Sequence, residues 1–198
     1  MRWNSWGVYA LLALVLTLLA TFVTPLPGEE ALADVFRSLY PAEGLWDGLN
    51  AVVKDRMLLG IVVLVATVGI YFLFPPREAA VPLAALMGAQ AIEWVLKPIV
   101  GRSRPGIAGL LGFSGFSFPS WETLYYAAWL GAIAAVVARR VRSNFLRRAI
   151  VLLLLALAAL GGIAQLACGA HWFADVVGSW LWATAWVLWL RDATRQVT

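Results

Sequence analysis

A single cysteine, Cys168, and a single histidine, His171, stand in a chain of 198 residues of which only 13% are charged. One cysteine excludes an internal disulfide and any cysteine-based metal cluster, and it says nothing about redox compartment. Charged residues are about half as frequent as in soluble domains, while 62% of the chain is hydrophobic and mean hydropathy is +0.82. That balance excludes a water-soluble globule, a disordered chain and a nucleic-acid-binding domain. The isoelectric point of 9.6 and net charge of +4 fit cationic loops between membrane spans, not a nucleic-acid surface. No stretch is polar enough for a separate soluble domain. The chain reads as one all-α integral-membrane domain over residues 1–198.

What it does contain is apolar runs, at about 7–23, 57–74, 79–96, 120–138, 149–167 and 172–190. Each is about long enough to cross a bilayer, and only helices satisfy their own backbone groups in lipid. The expectation is a six-transmembrane-helix bundle. The first run follows Arg2 as a secretory signal does, but no A-x-A-like site follows closely, so it reads as an uncleaved anchor. The link between the fourth and fifth runs holds Arg139, Arg140, Arg142, Arg147 and Arg148 and no acid. Arg2, Arg77, Arg191 and Arg195 fall on the same side, which the positive-inside rule makes cytoplasmic. The expected location is therefore the plasma (inner) membrane, with both termini inside. Segments 24–56, 97–119 and 168–171 face out, the first as an acid-rich loop with an interfacial helix near Leu45–Val53. Trp3, Trp6, Trp182, Trp186 and Trp189 lie near span ends and suit an aromatic belt.

Ionisable groups at the rims of apolar spans carry the functional information. Glu93 and Lys97 stand at i and i+4, so Glu93 either pairs with Lys97 or simply stabilises the third span. Arg102 and Arg104 follow, then Ser117-Phe118-Pro119-Ser120 and Glu122. His171 opens the last span with Asp175 one helical turn on, and Gln165 closes the span before it. The topology brings all of them to one extracytoplasmic surface. Lys97 and Arg104 offer the point charge and the donor fork that suit phosphate oxygens. Ser120 opens a helix, whose free N–H groups also favour an anion. Asp175 can hold one ring nitrogen of His171 and leave the other as nucleophile or base. Together they describe a site for a phosphate whose apolar tail stays in the bilayer.

These residues resemble, in order and spacing, the type 2 phosphatidic acid phosphatase superfamily of membrane lipid phosphatases. The family's first motif, Lys, six residues, then Arg-Pro, is matched in full by Lys97–Pro105. Its second, Ser-x-Pro-Ser-Gly-His, is matched at Ser117, Pro119 and Ser120, but Trp121 and Glu122 replace Gly-His. Its third, Arg, five residues, His, three residues, Asp, is matched at His171 and Asp175, with Gln165 in the arginine position. The motif-bearing part covers about residues 55–190. The resemblance implies phosphoryl transfer with no metal or cofactor: His171 attacks phosphorus and Asp175 orients its ring. Lys97, Arg104 and Ser120 hold the phosphate oxygens, with Arg102 and Gln165 as further phosphate contacts. The two missing residues are the leaving-group acid and one phosphate cation.

Lys97 and Arg104 against Asp175 and Glu122 leave the site near neutral, where a phosphate dianion is poorly balanced. Three readings follow. A protonated Glu122 replaces the missing acid, which predicts a pH optimum at or below about 6; or the substrate is a less anionic diester or a phosphoryl-transfer pair; or the chain binds lipid phosphate without turnover, as a carrier or membrane-complex subunit. The expected partner in every case is a phosphorylated lipid and no nucleic acid, with homo- or hetero-oligomers left open.

Overall fold

The computed structural model describes residues 5–38, 56–110 and 112–195. Among these, every regular element is a helix: α1 (Ser5–Phe22), α2 (Glu29–Ser38), α3 (Arg56–Leu73), α4 (Pro76–Val100), α5 (Gly106–Leu110), α6 (Trp121–Arg140), α7 (Asn144–Ala167) and α8 (Phe173–Arg195). Five of them, α1, α4, α6, α7 and α8, are long and apolar enough to cross a membrane, and α3 is apolar over Ile61–Leu73. Large aliphatic side chains stay exposed on α1 (Leu11, Leu12, Leu18) and α7 (Leu152, Leu153, Leu160). Such contiguous apolar faces belong against lipid. The chain is a multi-pass membrane protein. Each apolar run of the sequence coincides with a helix, and the run at 79–96 grows at both ends into α4. The helix expected near Leu45–Val53 lies outside the described residues.

Local sequence explains the helix ends. Pro76 sits in the first turn of α4, where a missing N–H costs nothing, and α4 stops at Gly101. Gly101 has φ +59° and donates its N–H to Lys97 O at 3.0 Å, a left-handed cap that favours glycine. Ser120 and Ser143 cap α6 and α7 by accepting from the N–H groups of Thr123 and Leu146. At the arginine-rich end, Glu78 of α4 is clamped by Arg139 (2.6 Å) and Arg140 (2.6 Å) of α6.

The core lies where α4, α6 and α8 meet. Ala85 and Ala89, Ala128 and Ala132, and Ala183 are buried there with Val81, Leu124, Val136 and Val187. Alanines one turn apart let helix backbones approach closely, which is how helices associate without a hydrophobic drive from water. α7 packs on α6, α1 on α8, and α3 on α4, while α2 lies across the ends of α7 and α8. Two tryptophans expected in an aromatic belt instead fasten helices together. Trp182 Nε1 donates to Thr17 Oγ1 (3.1 Å) and Trp186 Nε1 to Ala84 O (3.2 Å). Trp186 fits because residue 88 is glycine: a Cβ there would stand 2.0 Å from its ring.

Candidate active site

Three chain segments build one end of the bundle: the end of α4 with the 101–105 turn, the 114–120 loop leading into α6, and the 168–172 turn leading into α8. Backbone and side-chain bonds lock them together. Ser117 N donates to Arg102 O (2.8 Å), Ser117 Oγ to Ser103 O (3.0 Å), and Trp172 Nε1 to the same Ser103 O (2.9 Å). Ser179 Oγ of α8 donates to Ser120 O at 3.0 Å. The turn that presents His171 needs Gly169, whose φ is +68° and where a Cβ would come within 2.9 Å of Ile107. Gln165, fully buried in the last turn of α7, closes that turn by accepting from Ala170 N (3.1 Å) through its carbonyl.

His171 is the centre of the cluster and has no exposed side-chain surface. Its Nδ1 faces Asp175 Oδ2 at 3.5 Å and its Nε2 faces Glu122 Oε2 at 3.6 Å. Arg104 Nη1 lies 3.2 Å from the same Nε2 and donates to Ala170 O at 2.7 Å. The carboxylate contacts are slightly longer than hydrogen bonds. Burial pushes the His171 pKa down, but the two carboxylates more than reverse this and hold it above the ordinary histidine value. Arg104 is pushed the other way: burial draws its pKa below the usual arginine range, and Glu122 and Asp175 offset part of that.

The expected pair of Lys97 with Glu93 is present at 2.9 Å, and Gln90 Nε2 donates to the other Glu93 oxygen at 3.0 Å. Ser120 is fully buried, and its hydroxyl meets Thr123 Oγ1 at 3.0 Å besides capping α6. Asp175 has a second task. At the third position of α8 it accepts from Trp172 N (2.8 Å), one half of a capping box, so helix capping and ring orientation fix the same carboxylate.

Arg102 stands behind the His171–Asp175 pair. It is 2% exposed and donates through Nη1 to Asp175 Oδ1 at 2.7 Å. Its other donors go to Thr24 Oγ1 (3.2 Å) and to both oxygens of Glu29. Glu29 is a site residue that sequence reasoning missed. It is 3% exposed and also accepts from Ala174 N at 2.8 Å. In the sequence it is one acid among six in a segment read as a solvated loop, and its partner lies 73 residues away. The first residues of α2 are thus inserted into the site. Among the described residues, no group of three or more His, Cys, Asp or Glu is arranged to hold a metal ion.

A bundle of membrane-length helices with a buried His between two carboxylates, and two arginines beside them, defines a membrane protein with a polar cluster at one end. Residues 78–197 match the PAP2 superfamily, and the chain belongs to that family. Its fold is similar to that of the first transmembrane PAP2-type phosphatidylglycerolphosphate phosphatase from Bacillus subtilis. The TM-score is 0.79 at 20% identity, covering 99% of this chain and 98% of that one. It is also similar to LpxE of Aquifex aeolicus, with TM-score 0.56 and 20% identity over 78% of this chain and 91% of the other. No curated protein sequence matches the chain.

Proposed function

We propose that this chain is a membrane lipid phosphatase or phosphotransferase that acts on a phosphorylated lipid through a phosphohistidine on His171. The observation that carries the reading is the arrangement around Nε2, with Glu122 and Arg104 beside it and Asp175 behind the ring at Nδ1. Asp175 holds the Nδ1–H tautomer, which leaves Nε2 to attack phosphorus. Glu122 first takes the Nε2 proton of the imidazolium, which leaves that Nδ1–H tautomer, and passes it to the lipid alkoxide as the P–O bond breaks. Water then attacks the phosphohistidine, with Glu122 as base, and phosphate leaves from Nε2. Arg104, Lys97 and Ser120 hold the phosphoryl oxygens, where donors aimed at developing charge have most effect. Arg102 acts through Asp175 as a positioning residue, and Gln165 supports the His171 turn. The phosphate panel that tests this contains phosphatidic acid, phosphatidylglycerol phosphate, and polyprenyl phosphate and diphosphate.

Glu122 is thereby both acceptor and donor of one proton, and the pH expectation changes. The shared proton is needed for an alkoxide leaving group, so activity on lipid phosphates is lost as pH rises through the elevated His171 pKa. The high-pH limb therefore lies on the alkaline side of an ordinary histidine's. Glu122→Gln is expected to lower lipid-phosphate turnover by about 10²–10⁴-fold. In a single turnover it should slow phosphohistidine formation from a lipid phosphate far more than from nitrophenyl phosphate, whose leaving group needs no proton. Equal losses on both substrates remove Glu122 from the proton path.

The proposal also sets the chain as one domain with six spans in the plasma (inner) membrane, both termini cytoplasmic and the site outside. Its support is the arginine excess over 139–148 at the end of the bundle opposite His171. In a Cys168→Ala background, a cysteine at Gly106 is expected to react with an impermeant thiol reagent in intact cells, and one at Ser143 to be protected. The reverse pattern inverts the topology. A non-catalytic lipid-phosphate carrier or complex subunit is favoured by one observation: Lys97 and Arg102 are already paired with Glu93, Glu29 and Asp175. A parent protein inert on the whole phosphate panel, yet retaining the lipids, selects that reading.

A further inference from the structure

α6 packs closely on both α7 and α8, but those two touch each other little. Their contact is at the site end, where Gly162 lies against Val176 and Trp180 so tightly that a Cβ would stand 2.5 Å from the Trp180 ring. Towards the other end they leave a slot of about 510 Å³, floored by Ala127, Gly131, Ala135 and Ala138 of α6. From Ala127 to Arg139 the floor rises about 18 Å, close to the half-thickness of a bilayer's hydrocarbon core. Trp180 closes the slot near the site. Arg139 and Arg191 line its far end, and Thr184 is the other polar residue on its walls.

The chemistry of that mouth is cationic. Arg139 donates through Nη2 to Glu78, while its Nη1 is buried and makes no hydrogen bond among the described residues. Arg191 uses Nε on Asp192 (3.0 Å) and Nη2 on Ser5 (3.3 Å). Arg140 shares Glu78 with Arg139, and the link that follows adds Arg142, Arg147 and Arg148 with no acid. A ligand that fits has one chain for an apolar slot one leaflet deep and a negative headgroup at the arginines. We propose that the slot holds an anionic phospholipid of the leaflet opposite the active site, with its phosphate on Arg139 and Arg191 and an acyl chain along α6. The slot lies outside the phosphate site and does not depend on turnover there.

Native mass spectrometry of the detergent-purified protein tests this with phosphatidylglycerol and phosphatidylcholine of matched chains. Phosphatidylglycerol is expected to be retained about tenfold more strongly. Each of Arg139→Gln and Arg191→Gln should cut that preference about fivefold. Arg191→Gln keeps the Glu78 clamp intact, so its result stands if Arg139→Gln does not fold. Ala135→Phe, which fills the floor, should weaken both lipids alike, and His171→Ala should leave the preference unchanged. Equal retention of the two lipids overturns the proposal, as does a preference untouched by Arg191→Gln or lost with His171→Ala. A dimer that Ala135→Phe dissociates gives the slot to a second copy and overturns it too.

Discussion

Alanine at His171 abolishes phosphate release from every lipid phosphate that the parent hydrolyses, a loss of about 10⁴-fold or more. The physical ground is that the other side chains around His171 are weaker nucleophiles or are held in other bonds. Glu122 and Asp175 are weak ones, Arg104 and Lys97 are bonded to Ala170 O and Glu93, the Cys168 thiol donates to Gln165 O, and the Ser120 hydroxyl is buried in the cap of α6. Lipid binding should persist in the variant, because the phosphate-holding groups remain. Asp175→Asn should lose turnover on a similar scale without loss of binding, since an amide can stabilise the wrong imidazole tautomer. The measurements are phosphate release and single-turnover trapping of an acid-labile phosphoprotein. Full turnover by His171→Ala would move the nucleophile to water and end the phosphohistidine mechanism.

The second large effect is expected at Glu29, a residue that touches no substrate. Glu29→Ala leaves Arg102 buried with one carboxylate where it had two, and breaking a buried ion pair from one side costs about 3–5 kcal/mol. It also frees the N–H of Ala174 in the first turn of α8. Thermal unfolding in detergent should show the loss. Replacing both partners, Glu29→Leu with Arg102→Leu, should recover most of the stability, because an apolar pair of similar volume is often as stable as a buried ion pair. Turnover should not recover, since Asp175 then loses Arg102 and holds His171 less firmly. A kcat defect with KM near the parent value, in a double variant that melts like the parent, marks a positioning role. Recovery of kcat together with stability reduces the pair to scaffold.

Much of the site was legible because the first motif, Lys97 to Pro105, and the His171–Asp175 spacing are local. A turn of helix brings i and i+4 together whatever surrounds them, which is why Lys97–Glu93 and His171–Asp175 could be read directly. The helices were legible for the same reason: 20-residue apolar runs have one solution in lipid. The roles of Trp182 and Trp186 were not, since an indole at a span end looks the same whether it meets headgroups or Thr17 and Ala84 of neighbouring helices.

By itself, then, the sequence determined the helical membrane class, the family and the motif residues Lys97, Arg104, His171 and Asp175. These depend on hydropathy, residue type and short spacing, which need no partner across the chain. The tertiary structure alone decided how the charges are shared. It buried Arg102 against Glu29 and Asp175, and placed Glu122 beside Nε2 of His171. The electrostatic role of a buried charge is set by what lies within a few ångströms of it. For Arg102 and Glu29 that neighbourhood joins residues 73 apart, which only the packing of α2 against the end of the bundle brings about.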